Sequence, residues 1–394
     1  MATTIRQIRR SVQKIAKKAG LSSEETKLVI DCVTGICKSG SCKVSDIVRA
    51  LKNRMPFREE TRDFYDQLAD PKAGLEQVRD AWLEMVAPTA NNMPFIAVDP
   101  SDIIKRYGKD FDYLATVRDA SDPDKCLGPG FSTIQIEATD HEHRNLPLWQ
   151  ETYSTKLPEY RNLYDLIGRT VLRVLSRVGL HATWLFDRGF DGGDFYKILA
   201  RIDITWVVRQ LGTRNVIIGN DRTILMSDLA ASLDKPHEVR VPYVDKKSHK
   251  MKSCPVRFSY TPVRLPGHAG RFFMVVITGL RSDDMILLTN QDIHTVRQAR
   301  RIVLAYMRRW GVEEGIRLWK QKTGVEDFRV RNWTSIRRLT FFSMLAYGIQ
   351  ALWLLTRPAM AKRLIARVKV FIEDVPFKSY RLWDGVQDAL CSGA

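Results

Sequence analysis

Tyr306, Arg309, Glu313 and Lys320 follow one another at intervals of three, four and seven residues. In an α-helix those offsets fall on one face. Such spacing ordinarily carries Leu or Ile toward a core, yet this set offers a phenol, two cations and a carboxylate. The cations and the phenol suit phosphate: arginine can grip it with two parallel hydrogen bonds, tyrosine adds a neutral donor and lysine a compact charge. The plainer alternative is a solvated stripe of ion pairs. Glu314 lies about 100 degrees around the same helix and does not share the face.

The whole chain leans the same way. Its 62 Lys and Arg against 45 Asp and Glu give a formal charge of +17 over 394 residues, which favours a polyanionic partner because each cation placed on a phosphate releases counterions. Arg6, Arg9, Arg10, Lys14, Lys17 and Lys18 all precede the first acidic residue. Such a basic helix fits DNA, with an acidic lipid surface or plain solvation as the alternatives. None of the six cysteines stands in a C-x2-C arrangement, so free thiols in a reducing cytoplasm are expected and no structural metal or disulfide. The start of the chain lacks the apolar stretch of a signal peptide. The most apolar run, Phe341 to Leu355, is interrupted by Ser343, Gly348 and Gln350 and reads as a buried helix, with no membrane span expected.

The elements that must position the four residues fall into five segments. Residues 1–90 carry only helical patterns and form a candidate DNA-binding domain, with a helical cap on the next domain as the other reading. From residue 91 the pattern changes to short strands: Phe95 to Val98, Tyr113 to Val117 and Phe131 to Ala138. A helix near 160–178, a strand at Thr183 to Phe186, a helix from Gly193 and a strand at Thr205 to Val208 follow. That order, closed by the helix carrying Glu313, predicts an α/β, RNase-H-like core in two parts, 91–209 and 291–340. A β-rich insertion at 210–290 separates them. Its Lys246, Lys247, Lys250 and Lys252 either meet DNA or solubilise a hairpin. Residues 341–394 form a helical end with a possible role in dimerisation.

The Y-x2-R-x3-E-x6-K pattern resembles the signature of the YREK group of DDE transposases, and the chain resembles the bacterial insertion-sequence family four. The resemblance implies two upstream aspartates, each closing a buried strand. Asp99 follows Phe95-Ile96-Ala97-Val98, and Asp187 follows Thr183-Trp184-Leu185-Phe186 and opens the block Asp187-Arg188-Gly189-Phe190-Asp191. Taken singly, an aspartate at a strand end is more often a cap or turn residue. Asp102 competes with Asp99, and Asp191 and Asp194 compete with Asp187.

By this resemblance Asp99, Asp187 and Glu313 are catalytic and hold two Mg2+ ions, for which Mn2+ would substitute. Tyr306, Arg309 and Lys320 would hold phosphates near the cleaved end. Trp310 would stack on a base flipped from the duplex, unless it is a core residue. Arg6, Arg9, Arg10 and Lys14 would add DNA contacts. The implied activity is cut-and-paste transposition: binding of terminal inverted repeats, cleavage through a hairpin and joining of 3' ends to target DNA by a homodimer. An RNase-H-like nuclease without strand transfer and a DNA-binding regulator with a silent site are the rival readings.

Overall fold

A computed structural model describes residues 2–52, 55–71, 74–119, 124, 126–219, 221–244, 251–280, 282–368 and 378–392. Five helices come first, α1 (Ala2–Ala19), α2 (Ser23–Ser39), α3 (Val44–Leu51), α4 (Phe57–Ala69) and α5 (Leu75–Ala90). Then come β1 (Phe95–Ile104), β2 (Ala115–Arg118), β3 (Leu127–Thr139), β4 (Asn145–Tyr153), α6 (Leu163–Leu175), β5 (Thr183–Phe186), α7 (Gly193–Leu199) and β6 (Thr205–Arg209). The next stretch holds β7 (Asn215–Ile218), β8 (Arg222–Leu225), α8 (Met226–Ser232), β9 (His237–Val244), β10 (Met251–Val263), β11 (Phe272–Thr278) and β12 (Met285–Thr289). The chain closes with α9 (Val296–Arg308), α10 (Trp310–Thr323), α11 (Trp333–Thr356), α12 (Pro358–Ala366) and α13 (Lys378–Cys391).

One sheet organises the molecule. Its order is β2-β3-β1-β5-β6-β12-β11-β10-β9, with β4 also on β3. β1, β5 and β6 run parallel, while β3 is antiparallel to β1 and β4 antiparallel to β3. The run β4-β3-β1-β5-β6 is the RNase-H-like arrangement that the order of elements predicts. The meander is built differently from the expectation. Its third strand is β4, whereas the segment around Tyr113 to Val117 supplies only the four-residue edge strand β2. β4 hides in the sequence because Pro147 interrupts it. Proline cannot complete a ladder, and the register against β3 shifts between Ile136 and Glu137 to absorb it.

The stretch expected as an insertion is β-rich: β7 and β8 pair in a small sheet of their own, and its other strands join the central one. β12 pairs antiparallel with β6, so β12, β11, β10 and β9 continue the central sheet. Lys252 is exposed on β10; Lys246, Lys247 and Lys250 lie outside the described residues.

Strand alternation divides the interior into two cores. Ile96, Val98, Trp184 and Phe186 point to one side; their cluster takes in residues of α6 and α7 and extends to α11, which packs on β4 flanked by α2, α4, α5 and α13. Phe95, Ala97 and Leu185 point to the other, with Val303, Tyr306, Val312 and Ile316 of α9 and α10. α11 contains the apolar run beginning at Phe341; it is long and apolar enough to cross a membrane, but 83% of its most apolar window is buried. The first and last helices therefore share one core rather than standing apart: α1 touches α5 and α13, and α2 touches α11 and α13.

Candidate active site

Parity along the strands decides where the two aspartates point. Asp99 has the parity of Phe95 and Ala97, and Asp187 that of Leu185, so both face the side covered by α9 and α10. The parallel register ends with Val98 opposite Phe186, which sets Asp99 and Asp187 side by side at the carboxyl ends of neighbouring strands. Asp187 also accepts a hydrogen bond from the Gly189 amide at 2.8 Å, capping the short 3-10 turn that follows.

The third carboxylate arrives from the helices. A Thr295–Gln298 capping box starts α9, and Gly324 in the left-handed region ends α10. The four residues expected on one helix are shared by two. At Arg309 the backbone stays helical, but its amide bonds to Tyr306 O at 3.0 Å and Val312 bonds back to Arg309 O at 3.1 Å, a tightened turn. Arg309 thus sits at the joint. Its guanidinium donates to Asp99 Oδ1 at 3.3 Å and pairs with Glu313 Oε1.

The Asp99 carboxyl is pushed up to about 7, chiefly by burial, with Arg309 pulling it down and the nearby Asp187 and Glu313 pushing it further up. Asp187 and Glu313 therefore both lie close enough to Asp99 for it to feel their charge. Tyr306 is buried in the same place, its phenol raised to about 12 by burial, and its ring lies 5.9 Å from the Arg309 guanidinium. Lys320 pairs with Glu326 at 3.1 Å and donates to the carbonyl of Asp102. Trp310 is half-buried at the start of α10. Arg6, Arg9, Arg10 and Lys14 lie far along the chain on the exposed face of α1, opposite the buried Ile8, Val12 and Ile15. Arg10, Lys14 and Lys17 line a shallow cleft there with Arg357.

The competing acids have other partners. Asp102 accepts from Ser132 at 2.8 Å, Asp191 is ion-paired with Arg214 and accepts from the Leu211 amide at 2.7 Å, and Asp194 pairs with Lys197 at 2.9 Å. Glu314 is buried against Arg317. Among the described residues no three acidic, His or Cys side chains close into a ready-made metal cage. The donor set nevertheless fits a hard divalent cation: Asp99, Asp187 and Glu313 would offer only carboxylate oxygens, two of them at the ends of adjoining strands. Arg309 now supplies the positive charge between Asp99 and Glu313.

A fourth carboxyl escaped sequence reasoning. Glu137 on β3 pairs across the sheet with Ala97 and so faces the same side as Asp99. It is fully buried, accepts from Gln135 at 2.6 Å, and is raised to about 8 by burial, with Gln135 lowering and Asp99 raising it further. A side chain at Gly315 would overlap this carboxyl, and one at Gly311 would come within 2.6 Å of Asn145. Two glycines one turn apart thus let α10 lie close on a polar strip, where Asn145 donates to the Gly311 carbonyl at 2.5 Å. The sequence signal was there: Thr133, Gln135, Glu137 and Thr139 alternate with Ile134, Ile136 and Ala138 in a strand buried on both faces.

A family description of the transposase DDE domain matches residues 138–349, more than half of the chain. The chain belongs to that family of transposases. The match takes in Asp187 and Glu313 of the transposase and begins after Asp99. The cryo-EM structure of a piggyBac transposase synaptic complex with hairpin DNA is similar at 12% identity and a TM-score of 0.48, covering 99% of this transposase and 80% of that chain. No curated protein sequence matches it significantly.

Proposed function

We propose that this transposase cuts its own insertion sequence out of DNA and pastes it elsewhere, as members of insertion-sequence family four do. The observation that carries the reading is the pairing of Asp99 and Asp187 on adjoining strand ends, with Arg309 bridging Asp99 to Glu313. Asp99, Asp187 and Glu313 would hold two magnesium ions. Magnesium, when bound, supplies an activated nucleophile and neutralises charge on the phosphate.

The chain's own residues do the rest. The strand ends fix two ligands on a rigid sheet, and the α9–α10 joint brings the third. Arg309, released from the carboxylates when they take other partners, would be free to grip the scissile phosphate with two hydrogen bonds. Lys320 adds charge about three turns on from Arg309. Burial beneath α9 and α10 thins the water around the reacting atoms and strengthens each of these interactions. Trp310, at the helix start, would stack on a displaced base. The basic face of α1 supplies affinity for the terminal inverted repeats. Cleavage through a hairpin, joining of 3' ends to target DNA and action as a homodimer inside the cell complete the reading.

The test is incubation of the protein with Mg2+ and a labelled duplex carrying its element's end and flank, resolved on a denaturing gel beside Asp187→Asn. Specific nicking followed by a hairpin-sized product, absent in the variant, is expected. Binding without cleavage by the unaltered protein would overturn the enzymatic reading in favour of a regulator.

A further inference from the structure

We propose that the turn at the tip of β1 and the segment at 329–331 form a second DNA contact, gripping phosphates with Lys109, Arg329 and Arg331 and packing Tyr107 on the nucleic acid. The inference rests on the transposase reading and adds to it a site about six base pairs from the carboxylates.

β1 does not stop at Asp99. Its pairing with β5 ends at Val98, but it continues to Ile104 on β3 alone, so an arm projects past the carboxyl edge of the parallel strands. The arm ends in Lys105-Arg106-Tyr107-Gly108-Lys109, a turn closed by the Gly108 amide on Lys105 O at 2.7 Å. Tyr107 stands at its apex, 96% exposed. The turn borders a cleft of about 700 Å3 whose other wall carries Arg329 and Arg331 beside Glu326 and Asp327, with Asp110 and Asp119 also in its lining. Lys109, Arg329 and Arg331 are exposed, and the ion pair of Arg331 with Asp110 is long, 3.8 Å, and open to solvent, so little holds these cations from a phosphate.

The two walls are tied together. Lys105 is buried, lies 3.9 Å from the centre of the Phe328 ring, and donates to the carbonyl of Glu326 at 2.8 Å and to that of Phe328. The Asp112 amide bonds to Arg331 O, and Asp112 in turn accepts from the Trp333 amide, each at 3.0 Å. Such anchors spend a buried lysine on holding the turn against the segment at 326–331, which leaves a preformed surface.

The cleft is also in line with the candidate active site. Arg309 meets β1 at Asp99, Lys320 meets it at Asp102, and Phe328 meets it at Lys105. Six strand residues at about 3.3 Å each place the turn about 20 Å from Asp99, the length of about six base pairs at 3.4 Å each. A duplex lying along the arm would meet cations at both ends. An exposed tyrosine flanked by basic residues adds a neutral donor to the phosphates that those residues neutralise. The shared chemistry is the phosphodiester backbone, which the element's end and the target DNA both present.

The experiment compares the full-length protein with Lys109→Ala/Arg329→Ala/Arg331→Ala and with Tyr107→Ala, all at exposed positions, after melting curves establish folding. Binding of end duplex and of target duplex is titrated at several KCl concentrations. The triple variant should lower the slope of log affinity against log salt by about two to three, and Tyr107→Ala should weaken binding about fivefold at unchanged slope. Loss confined to the end duplex assigns the site to the element, and loss confined to the target duplex assigns it to the target. Unaltered slopes and affinities on both would overturn the inference. If the unaltered protein binds DNA but never cleaves it, the transposase reading fails while the slopes still judge this contact.

Discussion

Arg309 reaches Asp99 at 3.3 Å across 210 residues of chain and grips Glu313, one turn ahead of it, with the same guanidinium. The bridge joins a strand end to a helix and gives the clustered carboxylates their nearest positive charge.

Replacing Arg309 by Ala removes the group that pulls the Asp99 proton affinity down. Asp99 should then ionise at higher pH than it does beside Arg309, and the rising limb of cleavage against pH should move the same way. Cleavage at neutral pH should fall by about tenfold or more, roughly one pKa unit of lost ionisation. A pH–rate profile beside Arg309→Lys, which keeps the charge, checks this: an unshifted limb in Arg309→Ala would contradict the bridge's role.

Glu313→Gln should abolish cleavage and leave binding of the element's end within a few-fold. Chelation of divalent ions should do the same to the unaltered protein, with Mg2+ or Mn2+ restoring activity. A gel-shift titration and a cleavage assay on the same preparations separate the two effects. Equal loss of binding in Glu313→Gln would make Glu313 a structural residue.

Glu137 gives the fold a pH dependence with a definite sign. Its carboxyl is raised from the ordinary 4.5 to about 8, so the native state holds a proton that the unfolded chain has lost between those values. The unfolded state binds fewer protons there, and this group's contribution to stability is full below about pH 4.5 and declines as pH rises to about 8. Glu137→Gln should flatten that decline, by up to several kcal/mol at pH 8. Denaturant melts of both proteins at pH 5 and pH 8 measure it, and parallel declines would mean the carboxyl is not protonated in the native state.

Gly315→Ala places a methyl on the Glu137 carboxyl and must lift α10 or displace β3. A loss of about 1–3 kcal/mol is expected from such overpacking, together with slower cleavage because Glu313 rides on the same turn. The double change Gly315→Ala/Glu137→Ala should recover stability, as relief of a clash would; its failure to do so would point to the helix itself.

Much of the candidate site was legible in the sequence because its signals are local. Apolar runs closing in Asp99 and Asp187 read as strand ends, and the spacing of Tyr306, Arg309, Glu313 and Lys320 reads as a helix face, both set by backbone periodicities of two and 3.6 residues. The order of those elements was enough for the RNase-H-like core. Other features depended on contacts between distant segments. No local period says that β12 docks on β6 and makes the insertion part of one sheet, or that a bulge would carry β4 past Pro147. Nor does any say that Glu137 lies beneath Gly315, since that overlap is fixed by how closely a helix approaches a strand far away in sequence. Residue types and their periods determined which side chains could do the chemistry; long-range packing alone decided what each of them touches, because burial, charge proximity and pKa belong to neighbours in space.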